Sequence, residues 1–411
     1  IVSAFMTQAP DHAAAKAKES AMKRGNAKTA TMVDTMYFTP AQWERLQVRT
    51  LGNSMSAAKW EQIQMAACSF ITAVGAKLGC PQSTIGTAQL LYQRFHLFYR
   101  PADFVMHEVA LTCLFTSTKL NDTQKRLHEV LLASYAFRYP DLLGRPPATK
   151  DGTNGRQADW IAHTHVSEND MDAHVLHREQ VCLLTLERML LQCMCYNFQL
   201  RSSRLLKWTT KLARLWDMPK QHADLSWRIT CDSHRTNAPW LYTPLTVAIG
   251  SVYACVALMH AAGHSIPTAQ QFEHESSRWE LRWSTCMENV DDVAIRLLQL
   301  YAQHALTLMS ERKSERLVPP HVAYPPPMGL LRWRIFAPQD LSSCVTQALI
   351  YVRQRAQTRA QWPIDDRSDL LGQRKRFATE ARHDDTLAST IFTPTPDDAT
   401  RIVATRYLLP I

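Results

Sequence analysis

The sequence predicts an all-α protein on three observations: only 12 glycines in 411 residues, many Leu, Ala, Gln, Arg and Met, and no sustained alternation of apolar and polar residues. Helical runs follow one another near 57–78, 83–99, 103–120, 123–137 and 172–196, then near 202–217, 220–236, 242–262, 272–283 and 290–309. Each group of five has a strongly apolar third member, 103–120 and 242–262. That pattern points to two tandem copies of one five-helix module with this helix at the centre. The copies share no obvious sequence.

The segments around these modules have a different composition. Residues 1–35 are rich in Ala, Lys, Ser and Thr without an apolar stripe and are expected to be disordered. Their dispersed cations, Lys16, Lys18, Lys23, Arg24 and Lys28, read either as a solvated tail or as a nuclear-import signal. Tyr139–Met171, with Pro140, Pro146, Pro147, Gly152 and Gly155, reads as an exposed loop. Beyond Ser310, Pro319, Pro320, Pro325, Pro326 and Pro327 break the chain, and only Asp340–Gln357 could form a further helix. The expected division is a disordered tail over 1–35, modules over 36–198 and 199–310, and a mostly disordered tail over 311–411.

The start at Ile1 points to residues preceding it, and Ile1–Met6 is too short for the apolar core of a secretory signal. Leu245–Met259 is mostly apolar but falls short of the roughly 20 residues a bilayer demands, so it reads as a helix buried on every side. No membrane partner is expected. The surplus of 46 Lys and Arg over 37 Asp and Glu, a net +9, favours acidic surfaces, phosphates or nucleic acid without choosing among them. Ten cysteines are scattered singly apart from Cys193 and Cys195, with no Cys-x-x-Cys, which suits reduced thiols in the cytosol or nucleus. There is no phosphate-cradling glycine loop and no nucleophile motif, so nothing points to an enzyme and no cofactor is expected.

The most informative position is Glu187, whose neighbours on a helix are Leu183, Leu184, Leu190 and Leu191. An ionised carboxylate in such a stripe costs several kcal/mol unless it is paired or hydrogen-bonded. Lys119 ends the apolar run Phe104–Leu120, where the helix dipole favours a cation. If the two helices pack together, Lys119 and Glu187 emerge side by side at the edge of an apolar surface. Two weaker patterns stand beside this one. His163, His165, Glu168, His174 and His177 lie close in sequence with zinc-like spacing, but ordinary exposed histidines explain them more simply and no metal site is assigned. Arg204, Lys207, Lys211 and Arg214 share one flank of the helix 202–217, beside Leu205, Trp208, Leu212 and Leu215. That basic patch is either a solvated face or a contact for phosphate or an acidic partner.

Several of these residues fall into a familiar arrangement. TAQLLYQRF followed by LTCLFTSTKLNDTQKRLHEV, within Ser83–Val130, resembles a cyclin box. Tyr92, Arg94 and Phe95 match the family's second helix. Lys119, Leu120, Asn121 and Asp122 match the end of its third, and Lys125, Arg126 and Leu127–Val130 match the basic pair and short helix beyond it. LERMLLQCMCYNFQL, Leu186–Leu200, is similar to the fifth helix, with Glu187 at the position of its glutamate. MYFTPAQ, Met36–Gln42, and the Thr-Gln-Lys-Arg-Leu run resemble transcriptional cyclins of the K and T type, a group that includes fungal cyclin subunits of the RNA polymerase II C-terminal-domain kinase. The likeness covers about 37–198 by motif and 199–310 by helix pattern only.

The resemblance implies two cyclin boxes and a regulatory, non-catalytic role in the nucleus. Such a chain binds and activates a cyclin-dependent kinase that phosphorylates the polymerase tail during transcription elongation, with room for a third subunit of the complex. Lys119, Leu120, Glu187, Tyr196 and Phe198 would meet the kinase, and direct binding to nucleic acid is not expected. There are two departures from the family. Gln64 and Gln93 stand where cell-cycle cyclins carry an arginine–aspartate pair, which spares the core an orphan charge. Asn121 and Asp122 stand where many relatives have two acids. The alternative reading is a double cyclin-fold protein resembling transcription factor IIB that binds DNA through the basic flank.

Overall fold

The computed structural model describes residues 37–52, 55–139, 166, 172–194, 196, 202–264, 267–272, 283, 285–313, 325–330 and 341–360. Among them every regular element is helical, as the composition predicts. The helices are α1 (Pro40–Leu51), α2 (Ala57–Lys77), α3 (Gln82–Phe98), α4 (Met106–Leu120), α5 (Leu127–Arg138) and α6 (Ala173–Cys193). They continue with α7 (Ser202–Leu215), α8 (Lys220–Ser233), the single turn α9 (Ala238–Leu241), α10 (Pro244–Ala261), α11 (Met287–Lys313) and α12 (Leu341–Ala360).

Local chemistry sets the boundaries. Thr39 and Gln42 form a reciprocal capping box at the start of α1, with Pro40 in the first turn. Ser56, Asp172 and Thr243 accept from backbone N–H groups at the starts of α2, α6 and α10. The run expected from residue 103 begins later, at Met106, because Pro101–Asp103 form a separate 3-10 turn and Phe104 is extended. The expected helix over 272–283 lies largely outside the described residues. A 3-10 segment, Pro267–Phe272, closes at its first residue.

The first repeat is built around α4, which packs against α2, α3, α5 and α6. Its core includes Phe70, Ile71, Tyr92, Phe95, Leu111, Leu114, Leu131, Leu183 and Leu190. The second is built around α10, buried at every position from Thr246 to Met259, so the helix expected to be covered on all sides is a core helix. It packs against α7, α8, α11 and α12.

That fourth partner revises the extent of the second repeat. Val345, Ala348 and Val352 of α12 and Leu330 are fully buried in the α10 core, so this core reaches well past residue 310. Asp232 is a further reason. It is buried at the end of α8, where its two oxygens accept from Met328 N (2.8 Å), Gly329 N (2.7 Å) and Tyr301 Oη (2.9 Å). Burial pushes its carboxyl above the ordinary range, against the pull of Arg235 and these donors. Gly329 is required at this contact, since a Cβ there would collide with the Tyr301 hydroxyl.

The two repeats meet across a largely polar joint. Gln93 Nε2 donates to His234 O (2.8 Å) and Gln64 Nε2 to Arg235 O (3.1 Å). The Arg235 guanidinium reaches back to Ser69 Oγ (2.8 Å) and Thr72 Oγ1 (3.3 Å). Two neutral amides therefore cap two carbonyls of the second repeat. A small apolar cluster of Trp43, Leu46, Leu90, Leu97, Trp240 and Leu241 seals the edge. The lead-in segment docks there through Phe38 N to Trp240 O (2.9 Å).

Candidate partner-binding ledge

Packing of α4 against α6 brings Lys119 and Glu187 together. Lys119 Nζ lies 2.9 Å from both carboxylate oxygens. The Thr116 hydroxyl, shared with Thr112 O in its own helix, is 3.2 Å from Glu187 Oε1. Lys119 Nζ also sits 4.0 Å from the centre of the Phe115 ring, a cation–π contact that fixes the ammonium from below. The Glu187 side chain is 12% exposed and that of Lys119 is 45% exposed, so the carboxylate is sunk and the ammonium projects.

This leaves unused hydrogen-bonding capacity. An ammonium has three N–H donors and Glu187 engages two of them, while among the described residues Oε2 has only the lysine as donor. One donor on the projecting ammonium and part of one acceptor on the sunken carboxylate therefore remain available at a fixed spacing.

The four leucines around Glu187 divide into two pairs. Leu183 and Leu190 are buried in the first core, whereas Leu184 is 49% exposed and Leu191 half-buried on the outer side. Leu120 is half-buried at the end of α4. That helix stops sharply there. Asn121 Nδ2 caps Ser117 O (3.0 Å), and Asp122 enters the left-handed region at φ 54°. Asn121 is thus occupied with ending the helix.

Tyr196 is 60% exposed and also left-handed, at φ 55°, with its N–H on Leu191 O (3.2 Å). A side chain in that region costs about 1–2 kcal/mol, and here the residue is a bulky aromatic left in water. Phe198 lies outside the described residues. The ledge therefore consists of Leu120, Leu184, Leu191 and Tyr196 around one oriented ion pair. Sequence alone does not single out Thr116 and Phe115, although both lie one turn before Lys119 at i−3 and i−4 and share its face.

Elsewhere, Arg204, Lys207, Lys211 and Arg214 are all exposed on α7. His174 and His177 are exposed on the first turns of α6, while His163, His165 and Glu168 lie outside the described residues. Among the described residues no group of His, Cys, Asp and Glu could hold a metal ion. The nine described cysteines form no disulfide with one another, and burial raises Cys68 and Cys255 to about 12.

No protein-family model matches the chain. It is 27% identical over 209 residues to the CTD kinase subunit beta of Schizosaccharomyces pombe, covering 51% of this chain and 56% of that protein. It is 26% identical over 218 residues to Cyclin-T1-2 of Oryza sativa subsp. japonica, covering 53% of this chain and 31% of that protein. The chain is a relative of the transcriptional cyclins. It spans about half the length, or less, of these cyclin relatives. It also shares its fold with a chain of the yeast RNA Pol II CTD kinase CTDK-1 complex, seen in a crystal structure. That match has a TM-score of 0.51 and 16% identity, and covers 73% of this chain and 83% of that one. The two repeats around α4 and α10 are thus tandem cyclin folds, and the ledge lies on the first.

Proposed function

We propose that this chain is the regulatory cyclin subunit of a cyclin-dependent protein kinase that phosphorylates the RNA polymerase II C-terminal domain, acting in the nucleus during transcription elongation. The observation that carries the reading is the Lys119–Glu187 pair, already oriented by Thr116 and Phe115 and displayed beside exposed Leu184 and Tyr196. Its kinship with a CTD kinase subunit and a cyclin T supports the choice of kinase class.

Protein kinases need the helix that carries their own glutamate swung inward, so that it pairs with the lysine holding the nucleotide phosphates. The cyclin's task is to hold that helix. The spare Lys119 donor meets a backbone carbonyl of the kinase helix, and Glu187 accepts a backbone N–H. Leu120, Leu184 and Tyr196 bury apolar area around them, the mixture typical of an interface core with a polar centre. The ledge is pre-ordered, so little side-chain entropy is lost on docking.

The test is a titration of the full chain with the catalytic subunit of the CTD kinase. Removing one partner of a desolvated, hydrogen-bonded charge pair costs about 2–5 kcal/mol, so Lys119→Ala and Glu187→Ala weaken binding about 30-fold to several thousand-fold. Phosphorylation of a polymerase-tail peptide falls in parallel, with circular dichroism unchanged. Wild-type affinity in both folded variants would overturn the reading.

A further inference from the structure

A second surface has the opposite electrostatic character. α7 contains four cations and no acidic residue. Arg204, Lys207, Lys211 and Arg214 are all exposed, and among the described residues none of them forms an ion pair. Asp217, the nearest acid beyond the helix end, is exposed and makes no ion pair with them. Arg228 and Arg296 each bond an aspartate one turn away, at 3.1 and 2.7 Å.

The four positions recur at steps of three and four residues, so they lie on one face within an arc of about 80° and run about 15 Å along the axis. The opposite side of α7 is fixed in the second core by Leu205 and Leu212, which prevents the row from turning away. Trp208 is half-buried beside the row, with Lys211 Nζ 4.9 Å from its ring centre, and Leu215 is exposed at the end.

We infer that this face of α7 is a docking surface for single-stranded RNA. The geometry distinguishes an extended polyanion from a single phosphate. A phosphorylated side chain needs donors that converge on one point, whereas these four are strung along a line. Each strand of a duplex carries a charge about every 3.4 Å of axis and an unstacked strand spaces its charges more widely, so about 15 Å of helix faces several successive phosphates of one strand. The Trp208 ring edge and Leu215 offer apolar area beside the row for unpaired bases, which a duplex would keep stacked away. The choice of RNA rests on the proposed role at a transcribing polymerase, whose emerging product is a single strand.

The test uses the full chain without kinase and a fluorescent oligouridylate, with anisotropy read across a salt series. Four phosphate contacts on a single strand give a slope of log K against log salt of about −3, so affinity falls about 50-fold between roughly 50 and 200 mM salt. The variant R204Q/K207Q/K211Q/R214Q, with unchanged circular dichroism, binds at least tenfold more weakly and loses most of that slope. The inference is overturned if oligouridylate does not bind at low salt, or if this variant keeps the wild-type slope. It is also overturned if neutralising Lys16, Lys18, Lys23, Arg24 and Lys28 removes the binding instead. Displacement of the RNA by polyglutamate at equal charge would assign the surface to an acidic protein. Kinase binding, measured separately on the same variant, stays at wild-type level, so failure here is distinguishable from failure of the cyclin assignment.

Discussion

Two carboxylates eight residues apart on α6 each meet one cation from a neighbouring helix, yet the resulting pairs differ in kind. Glu179 receives both arms of Arg138, at 2.9 and 3.0 Å, and the Tyr135 hydroxyl at 2.9 Å. The guanidinium is flanked by the Tyr135 and Tyr139 rings, and both charged side chains are only 11% exposed. Neither charged group is presented to a partner. Glu187 meets a lysine instead, a point charge that bonds both oxygens and still projects into solvent with a donor to spare. A buried planar fork stitches helices, whereas an ammonium at a rim leaves the cation of the pair on display. An ion pair therefore reports function only when its unused capacity faces outward.

The largest effect that sharpens this contrast is expected on acidification. Burial holds His96, His107 and His234 at about 4, with the Arg138 charge adding to the effect on His107. Folded-state values below the ordinary 6.5 mean that the unfolded chain binds more protons between about pH 4 and 6.5. Stability therefore rises with pH through that window, levels off above it, and drops as pH falls from 6.5 towards 4. These histidines lie in the core, near the stitched pair and at the joint, and none is on the ledge. A melting temperature that stays flat between pH 6.5 and 4.5 would show that they are not neutral and buried.

Arg138→Met is next in size. It leaves Glu179 buried and uncompensated and should cost about 3–5 kcal/mol in urea unfolding. The protein that remains folded should bind kinase normally. Tyr196→Gly separates the two roles in the other direction. Relief of the left-handed backbone, less the entropy that glycine adds to the unfolded chain, leaves stability unchanged or raised by up to about 1 kcal/mol. Loss of the ring weakens kinase binding about tenfold. The smallest expected change is the stability of Lys119→Ala. With the ammonium so exposed, the loss should stay within about 1 kcal/mol. A loss of several kcal/mol would place the ledge pair in the same structural class as Arg138–Glu179.

Much of this was legible in the sequence, for identifiable reasons. The helix runs and their apolar centres follow from periodicity, which burial enforces, and ten of the twelve described helices coincide with or overlap predicted runs. The meeting of Lys119 and Glu187 could be anticipated because a charge inside a leucine stripe needs a partner. Which leucines turn outward could not, because that depends on the rotation of α6 against α4. Glu179 is not singled out by the sequence, since its partner Arg138 lies across a long intervening segment. Val345, Ala348 and Val352 show a helical stripe, yet the prolines before them hid its destination. A stripe tells that a face is buried and says nothing about which core receives it.

The Asp232 contact sets a timetable for biosynthesis. The backbone donor of Gly329 lies 97 residues downstream of the carboxylate it satisfies. At ribosomal rates of about 5–20 residues per second, α8 waits roughly 5–20 s for that donor to emerge. Throughout the interval Asp232 lacks those backbone donors and the flank of α10 that α12 later covers stays open. The second repeat is therefore committed only after Gly329 has been translated, and nascent chains stalled before residue 328 should be held by chaperones in preference to those stalled well after 360.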